Sequence, residues 1–318
     1  MAIAQRIQPR AVGKPRGSLR QRIVKDFTRN RYIYLMLVPV VLYYLIFHYG
    51  PMCGALMAFQ DFNVAKGIWG SQWIGFENFT TFFSSIYFYR LIRNTLAINV
   101  IDLILHFPAP IIFALLLNEI TSPWFKRTVQ TITYMPHFIS LVVVGMMVDF
   151  FARAGLVNNL RVPFGIPPTA FLQQADWYWW LFVGSGIWQS IGWGLIIYLA
   201  AITNIDPTLY EAAVVDGANR WKQLVHITLP GIMPIIIIML ILRIGNMMSV
   251  GYEKTILLYN PMTYETADVI NSYVYRKGII QADYGFSAAV GLFNSVINFA
   301  LLILANRFSK RMSETSLF

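Results

Sequence analysis

Four ionisable side chains lie within or beside long apolar stretches of this sequence: Asp102, His106, Asp149 and Arg243. Asp102 and His106 are four residues apart, so on a helix they can form a hydrogen bond or pass a proton between them. Arg243 can form an ion pair with Asp102 or Asp149, or it can meet a carboxylate of a solute. We expect the ion pair, because an unpaired charge in an apolar environment is costly.

The other reactive side chains do not form a catalytic pattern. No pair of histidines has H-x-x-x-H or H-E-x-x-H spacing, and no G-x-x-x-x-G-K-[ST] phosphate loop occurs. Gly184-Ser185-Gly186 lacks the G-x-S-x-G pattern and is expected to let helices pack closely. The single Cys53 excludes a disulfide framework. We therefore expect no catalysis, and no metal or cofactor bound by this chain.

The composition is that of a membrane protein. Of the 318 residues, 57% are hydrophobic and 13% are charged, whereas soluble domains carry about 25% charged residues. Several apolar stretches reach about 20 residues, the length that crosses a hydrocarbon core of about 30 Å. We predict an all-α polytopic membrane protein with six transmembrane helices. The predicted spans are 32–52, 91–117 with a break at Pro108 and Pro110, 131–151, 177–202, 231–250 and 284–306.

The distribution of positive charge predicts the orientation. Most Lys and Arg residues lie in 1–31, after the second span, in 204–230 and after residue 306. Because loops rich in Lys and Arg stay in the cytoplasm, we predict that both termini and 204–230 are cytoplasmic. This explains the net charge of +10 through topology and contact with anionic lipids, so no nucleic-acid partner is expected.

The predicted organisation has five parts. These are a basic cytoplasmic tail at 1–31, an N-terminal anchor span at 32–52 with no cleavage site after it, a periplasmic loop at 53–89, a core at 90–306 and a tail at 307–318. The aromatic loop at 53–89 is expected to fold against the membrane face or a partner. For 251–283 we predict short helices with turns at Asn260-Pro261 and Lys277-Gly278.

The segment 204–230 carries unusually detailed helix signals for a connection between spans. Asp206 and Pro207 suit the N-cap and first position of a helix, and Gly217 is expected to end it. A second short helix should then run to Pro230, where the fifth span begins. The residues alone leave two interpretations open: a linker resting on lipid headgroups, or a docking element for a cytoplasmic partner.

This segment also carries a family pattern. The matching residues are Glu211, Ala212, Ala213, Asp216, Gly217, Ala218, Ile227, Leu229 and Pro230. The pattern resembles the EAA loop of permease subunits of bacterial ABC importers, and it departs from that loop where Leu224 replaces an aromatic residue. The stretches at 74–79, 93–96 and 134–136 are similar to the same family, so the resemblance extends over about residues 30 to 310.

The resemblance implies an ABC importer permease fold with an extra N-terminal span and a cytoplasmic coupling helix in the bacterial inner membrane. It also implies several partners: a second permease subunit forming a heterodimer, two ATPase subunits that bind ATP and Mg, and a periplasmic or lipid-anchored solute-binding protein. The residues implied in coupling to the ATPase are Glu211, Ala212, Ala213, Asp216, Gly217, Ala218, Leu224 and Pro230.

The periplasmic loop 53–89, the N-terminal span 32–52 and the stretch 283–295 resemble the corresponding parts of permeases that import oligosaccharides, a branch that includes the alginate importer. An oligosaccharide is therefore the implied solute, with an acidic alginate- or pectin-like one as a possibility. Candidate pathway residues are Trp188, Trp193, Arg243, Asn246, Asn294 and Asn298. Helix packing and hydrogen bonds between helices are the alternative roles for the Trp and Asn side chains.

Two other classes of function remain open from the sequence. A stand-alone proton-coupled transporter would use Asp102, His106, Asp149 and Arg243 to carry protons. A membrane enzyme acting on lipid-linked sugars would need carboxylates clustered at one interface, and the sequence has no such cluster.

Overall fold

The computed structural model describes residues 25–138, 145, 150–313 and 316–317. The chain divides into two units, residues 1–54 and 55–318. In the first unit, α1 (Arg31–Tyr44) continues through a wide π-turn at Leu45–Tyr49 into α2 (Gly50–Met52). None of the residues of these three elements is buried within the chain, so this apolar helix presents its side chains to its surroundings.

The second unit is built almost entirely of helices. Its α-helices are α3 (Gly67–Gly70), α4 (Glu77–Phe83), α5 (Phe88–Leu105), α6 (Pro108–Asn118), α7 (Pro123–Phe138), α8 (Leu156–Arg161), α9 (Ala175–Thr203), α10 (Pro207–Val215), α11 (Arg220–Gln223), α12 (Leu229–Ile244), α13 (Tyr252–Leu258), α14 (Tyr264–Ala267), α15 (Ile270–Tyr275) and α16 (Tyr284–Ser313). Further turns of 3-10 helix occur at Cys53–Phe59, Val162–Phe164 and Phe171–Gln173, and of π-helix at Leu224–Thr228 and Arg276–Ile280. Two short antiparallel strands, β1 (Gln60–Asp61) and β2 (Gln72–Trp73), pair Gln60 with Trp73.

Five helical stretches of the described residues are long and apolar enough to cross a membrane. They are Arg31–Phe59, Phe88–Asn118, Ala175–Thr203, Arg220–Ile244 and Tyr284–Arg311. These correspond to five of the six predicted spans. The predicted span at 131–151 begins inside α7, and most of its remainder lies outside the described residues.

The predicted break in the second span is confirmed. Helix α5 ends at Leu105, and α6 restarts with Pro108 at its first turn. Proline has no N–H to donate and is tolerated in the first turn of a helix. The N–H of Phe107 reaches back to the carbonyl of Asp102 at 3.1 Å, which closes α5 with a widened turn.

Helix α9 is the centre of the second unit and packs against α5, α6, α7 and α12. Its glycines set how close the neighbours come. A Cβ at Gly192 would overlap the backbone of Thr133 on α7, and a Cβ at Gly194 would lie 3.1 Å from Pro110. One core cluster of buried side chains joins α6, α9 and α12: Ile111, Ala114, Leu117, Leu195, Tyr198, Leu199, Ile202 and Ile232.

The segment between α12 and α16 folds into short helices, as predicted, and is held by one buried carboxylate. Asp268 is fully buried, and its Oδ2 accepts from Arg90 of α5 at 3.2 Å and from Arg276 at 2.7 Å. Its Oδ1 accepts from Ser272 at 2.9 Å. The carboxylate therefore joins α5 to α15 and to the π-turn that follows.

Two predicted boundaries are wrong. Pro230 does not end a helix: Arg220–Ile244 is one continuous helix, in which the π-turn Leu224–Thr228 is followed directly by Leu229. A π-turn carries a wider hydrogen-bond ring, and the proline sits in the turn just after it, so the missing N–H does not break the helix. Likewise Lys277-Gly278 lies inside the π-turn Arg276–Ile280, and the chain turns only after it.

Candidate functional site

A cluster of charged and polar side chains lies where α5, α9 and α12 meet. Asp102 accepts from the guanidinium of Arg243 through Oδ2, while its Oδ1 lies 3.0 Å from Nδ1 of His106. The Nε2 of His106 lies 2.8 Å from the hydroxyl of Ser190 on α9. The structure thus pairs Arg243 with one of its two predicted partners and confirms the Asp102–His106 contact. The other predicted partner, Asp149, lies outside the described residues.

A cavity of about 330 Å³ opens beside this cluster. Its polar wall is formed by Asp102, His106, Arg243 and Asn246, and its apolar wall by side chains of α6, α9 and α12 that include Tyr198. The amide nitrogen of Asn246 donates back to the carbonyl of Leu242 at 2.9 Å. A cavity with one charged wall and one apolar wall suits a ligand that has both hydroxyl groups and an apolar ring face.

The segment 204–230 forms the predicted helix, break and second helix. Asp206 caps α10 by accepting from the N–H of Thr208 at 2.9 Å, a bond that holds the pKa of this exposed carboxyl below its usual value. Gly217 has a φ of +71°, the left-handed conformation that favours glycine after a helix. The side chain of Asn219 then accepts from the N–H of Lys222 at 2.9 Å and caps α11.

This segment presents an exposed apolar surface, and a hydrogen bond ties it to the helix that follows. Its large exposed side chains are Leu209, Val214, Val215 and Trp221. Glu211, Ala212 and Asp216 are also exposed, while Ala213, Ala218 and Leu224 are half-buried. The hydroxyls of Tyr210 and Thr228 lie 2.9 Å apart and tie α10 to the start of the span.

Comparison with known proteins places the chain in a family. Residues 106–314 match the model of the binding-protein-dependent transport system inner membrane component. The protein LplB of Bacillus subtilis is 44% identical over 292 residues, which cover 91% of this chain and 92% of LplB. The chain belongs to this family. It is therefore a permease, a subunit of a transport pathway, and the remaining comparisons bear on which kind.

A second relative of the permease is the polygalacturonan/rhamnogalacturonan transport system permease protein YteP of Bacillus subtilis. It is 42% identical over 301 residues, which cover 94% of this chain and 94% of YteP. Among solved structures, a bacterial alginate ABC transporter in complex with an alginate pentasaccharide-bound periplasmic protein matches with a TM-score of 0.86. That match has 43% identity and covers 93% of this chain and all of the other.

The candidate pathway residues of the permease do not form one group. Arg243 and Asn246 line the cavity of the charged cluster, whereas Trp193 stacks on His137 with ring centroids 4.5 Å apart. The side chain of Trp188 is 46% exposed. Asn298 accepts from the N–H of Met248 at 2.8 Å and donates to Ser249 at 2.9 Å, which is the hydrogen bonding between elements given as its alternative role.

Asn294 lies elsewhere, in the wall of a separate cavity of about 470 Å³ between α13, α15 and α16. Its buried amide oxygen has no hydrogen-bond partner among the described residues. The contacts of the six candidates thus place only Arg243 and Asn246 at the charged cluster.

Sequence reasoning missed one charged side chain near the cluster. Lys254 lies on α13, and its Nζ donates to the carbonyl of Phe182 on α9 at 2.6 Å. In the sequence it follows the fifth span and stands between Glu253 and Thr255, a position typical of a charge in a solvated loop. Its place among mostly apolar neighbours is a consequence of the tertiary fold. The described residues hold no group of three or more His, Cys, Asp or Glu side chains arranged to bind a metal.

Proposed function

We propose that this permease is the transmembrane subunit of an ATP-driven importer of oligosaccharides, and that its solutes are acidic. It forms half of the pathway and docks the ATPase through segment 204–230. The observation that carries this proposal is the joint occurrence of the family match and the exposed helix-turn-helix with the residues Glu211 to Pro230. ATP and Mg bind to the partner ATPase.

The choice of an acidic solute rests on three of the similar proteins. YteP, at 42% identity, is named for polygalacturonan and rhamnogalacturonan, and two matched structures, at 43% and 44% identity, are of alginate transporters. All of these are acidic polymers. Relatives named for arabinooligosaccharides, which are neutral, are 25% identical.

The exposed surface of α10 and α11 is consistent with docking. Here Val215 and Trp221 are exposed at 86% and 71%, next to the charged Glu211 and Asp216. An apolar patch with adjacent charges is typical of a protein interface.

The remaining partners follow from the same assignment. A second permease subunit completes the pathway, and a binding protein delivers the solute from the periplasmic side. The structure of the alginate transporter contains such a periplasmic protein. In this proposal both termini and segment 204–230 face the cytoplasm, where the ATPase is.

The test is reconstitution of the permease with its partner permease, ATPase and binding protein in liposomes. In Glu211→Lys, solute-stimulated ATP hydrolysis should fall at least tenfold, because the reversed charge opposes docking. The matched control is Glu77→Lys, an equally exposed charge reversal on α4, which should leave the rate unchanged. Wild-type stimulation in Glu211→Lys would contradict docking through this segment. Uptake by the permease alone, driven by a proton gradient, would establish the proton-coupled alternative instead.

A further inference from the structure

The side chain of Lys254 extends from α13 to α9 and brings its ammonium group against that helix. The Nζ atom donates to the carbonyl of Phe182 at 2.6 Å and lies 4.4 Å from the centroid of the Phe182 ring. Room for it comes from Gly186, where a Cβ would lie 3.4 Å from Nζ. The ammonium has three N–H donors, and the Phe182 carbonyl is its one acceptor among the described residues.

The charges around Lys254 do not balance. Asp102 is the carboxylate that acts on Lys254 electrostatically, but it does so from beyond ion-pair distance. Both oxygens of Asp102 are already engaged, one by Arg243 and one by His106. Among the described residues, the cations of Arg243 and Lys254 therefore share a single anion at neutral pH, and the charge of Lys254 has no ion-pair partner of its own.

Holding α13 against α9 does not by itself explain why residue 254 is a lysine. The hydrogen bond to Phe182 needs one donor, and a neutral side chain would supply it without the cost of removing a charge from water. A partly buried cation with free N–H donors, close enough to Asp102 to feel its charge but not paired with it, is suited to an anionic ligand.

We propose that Lys254 binds a carboxylate of the acidic oligosaccharide as the solute passes the Asp102–Arg243 pair. This inference rests on the proposed function and names the residue that distinguishes acidic from neutral solutes. The carboxylate takes up donors of the ammonium that the fold leaves free, while Arg243 stays paired with Asp102.

The proposal has a pH signature. Burial lowers the pKa of Lys254 to about 8, and Asp102 opposes that shift. The cation is present below this pKa and is lost as the pH rises through it, so the preference for acidic solutes should weaken above pH 8. The other titratable or charged groups on the neighbouring elements lie on α5 and its C-cap, on α9, α12 and α15, and on α13 itself. They are Tyr89, Arg90, Arg93, Asp102, His106, Asp176, Tyr178, Tyr198, Arg243, Tyr273 and Tyr275, and on α13 Tyr252 and Glu253.

The experiment compares uptake of an oligogalacturonate with uptake of its carboxyl-reduced, neutral counterpart by the complete reconstituted transporter. The ratio of the two rates is taken relative to wild type, so that the binding protein's own preference cancels. In Lys254→Met the ratio should fall about tenfold, the loss of one charge-assisted hydrogen bond. In Lys254→Arg it should stay within about threefold. The matched control is Lys66→Met, at an exposed lysine in the turn between the two strands.

The outcomes separate the inference from the function on which it rests. An unchanged ratio in Lys254→Met, or equal loss of both solutes, overturns the role of Lys254. If wild type takes up neither sugar, the proposed function itself fails. Should Lys254→Met not assemble, the wild-type ratio measured from pH 6.5 to 9 decides: a fall centred near pH 8 supports the proposal, and a flat profile overturns it.

Discussion

The guanidinium of Arg243 on α12 is paired with the carboxylate of Asp102 on α5. Removal of either partner leaves the other charge unmatched beside the cavity. The double variant Asp102→Ala/Arg243→Ala removes both charges together, so it should reduce uptake of acidic and neutral oligosaccharides alike. Uptake of the two sugars by the reconstituted complex measures this.

The same pair can be tested without a substrate. The double variant Asp102→Ala/Arg243→Ala should lose less stability than the sum of the two single variants, with a coupling of about 1 kcal/mol or more. Thermal unfolding of the purified complex measures the three values. Additive losses, or a loss of uptake in the double variant confined to acidic sugars, would mean that Arg243 acts on the solute.

Close approach of α9 and α7 depends on Gly192. Its Cα faces the carbonyl of Thr133, and any side chain there overlaps that backbone. Gly192→Ala should destabilise the complex by about 1–3 kcal/mol, the usual cost of overpacking. Gly184→Ala is the control, because a Cβ at that position meets nothing within 4 Å. Equal melting temperatures for the two variants would contradict this contact.

The turn after α10 requires a residue with a left-handed backbone conformation, and Gly217 has a φ of +71°. At Gly217 a Cβ meets nothing within 4 Å, so a substitution acts through the backbone alone. Gly217→Val should cost about 1–2 kcal/mol locally and lower solute-stimulated ATP hydrolysis, whereas Gly217→Asn, which tolerates this conformation, should remain near wild type. Similar rates for Val and Asn would show that the turn has no part in coupling.

Asp268 joins α5 to α15 and the π-turn after it through Arg90 and Arg276. Asp268→Asn keeps the shape of the side chain but leaves both guanidinium groups without a carboxylate, at a cost of about 3 kcal/mol. Faster hydrogen exchange in residues 264–280 should reveal the loosened segment. Glu265→Gln, an exposed neutralisation in the same segment, should leave the exchange unchanged.

Local chemistry made segment 204–230 predictable from sequence. Asp206, Pro207 and Gly217 each act on the backbone within a few residues, so their effects can be deduced without knowledge of the fold. Pro230 was misjudged because a π-turn depends on the helix around it. The length of the apolar stretches in α5, α9 and α16 likewise predicted the spans.

Contacts between distant segments were harder to deduce. The partners available to Arg243 could be named from its place in an apolar span. Lys254 gave no such signal, because its burial depends on Gly186 and Phe182, which lie 68 and 72 residues earlier in the chain. A charge in a connecting segment looks like a surface residue until the fold places a helix against it.

The uninterrupted helix Arg220–Ile244 has a mechanical consequence. Its 25 residues extend about 37 Å, with the exposed Trp221 near one end and Arg243 near the other. The π-turn Leu224–Thr228 and the internal Pro234 are two points at which it can bend. Moving as a rigid body, the helix would carry a tilt of about 10° at Trp221 to a displacement of about 6 Å at the far end, given that length. Had Pro230 ended the helix, a joint would have absorbed that movement before it reached Arg243.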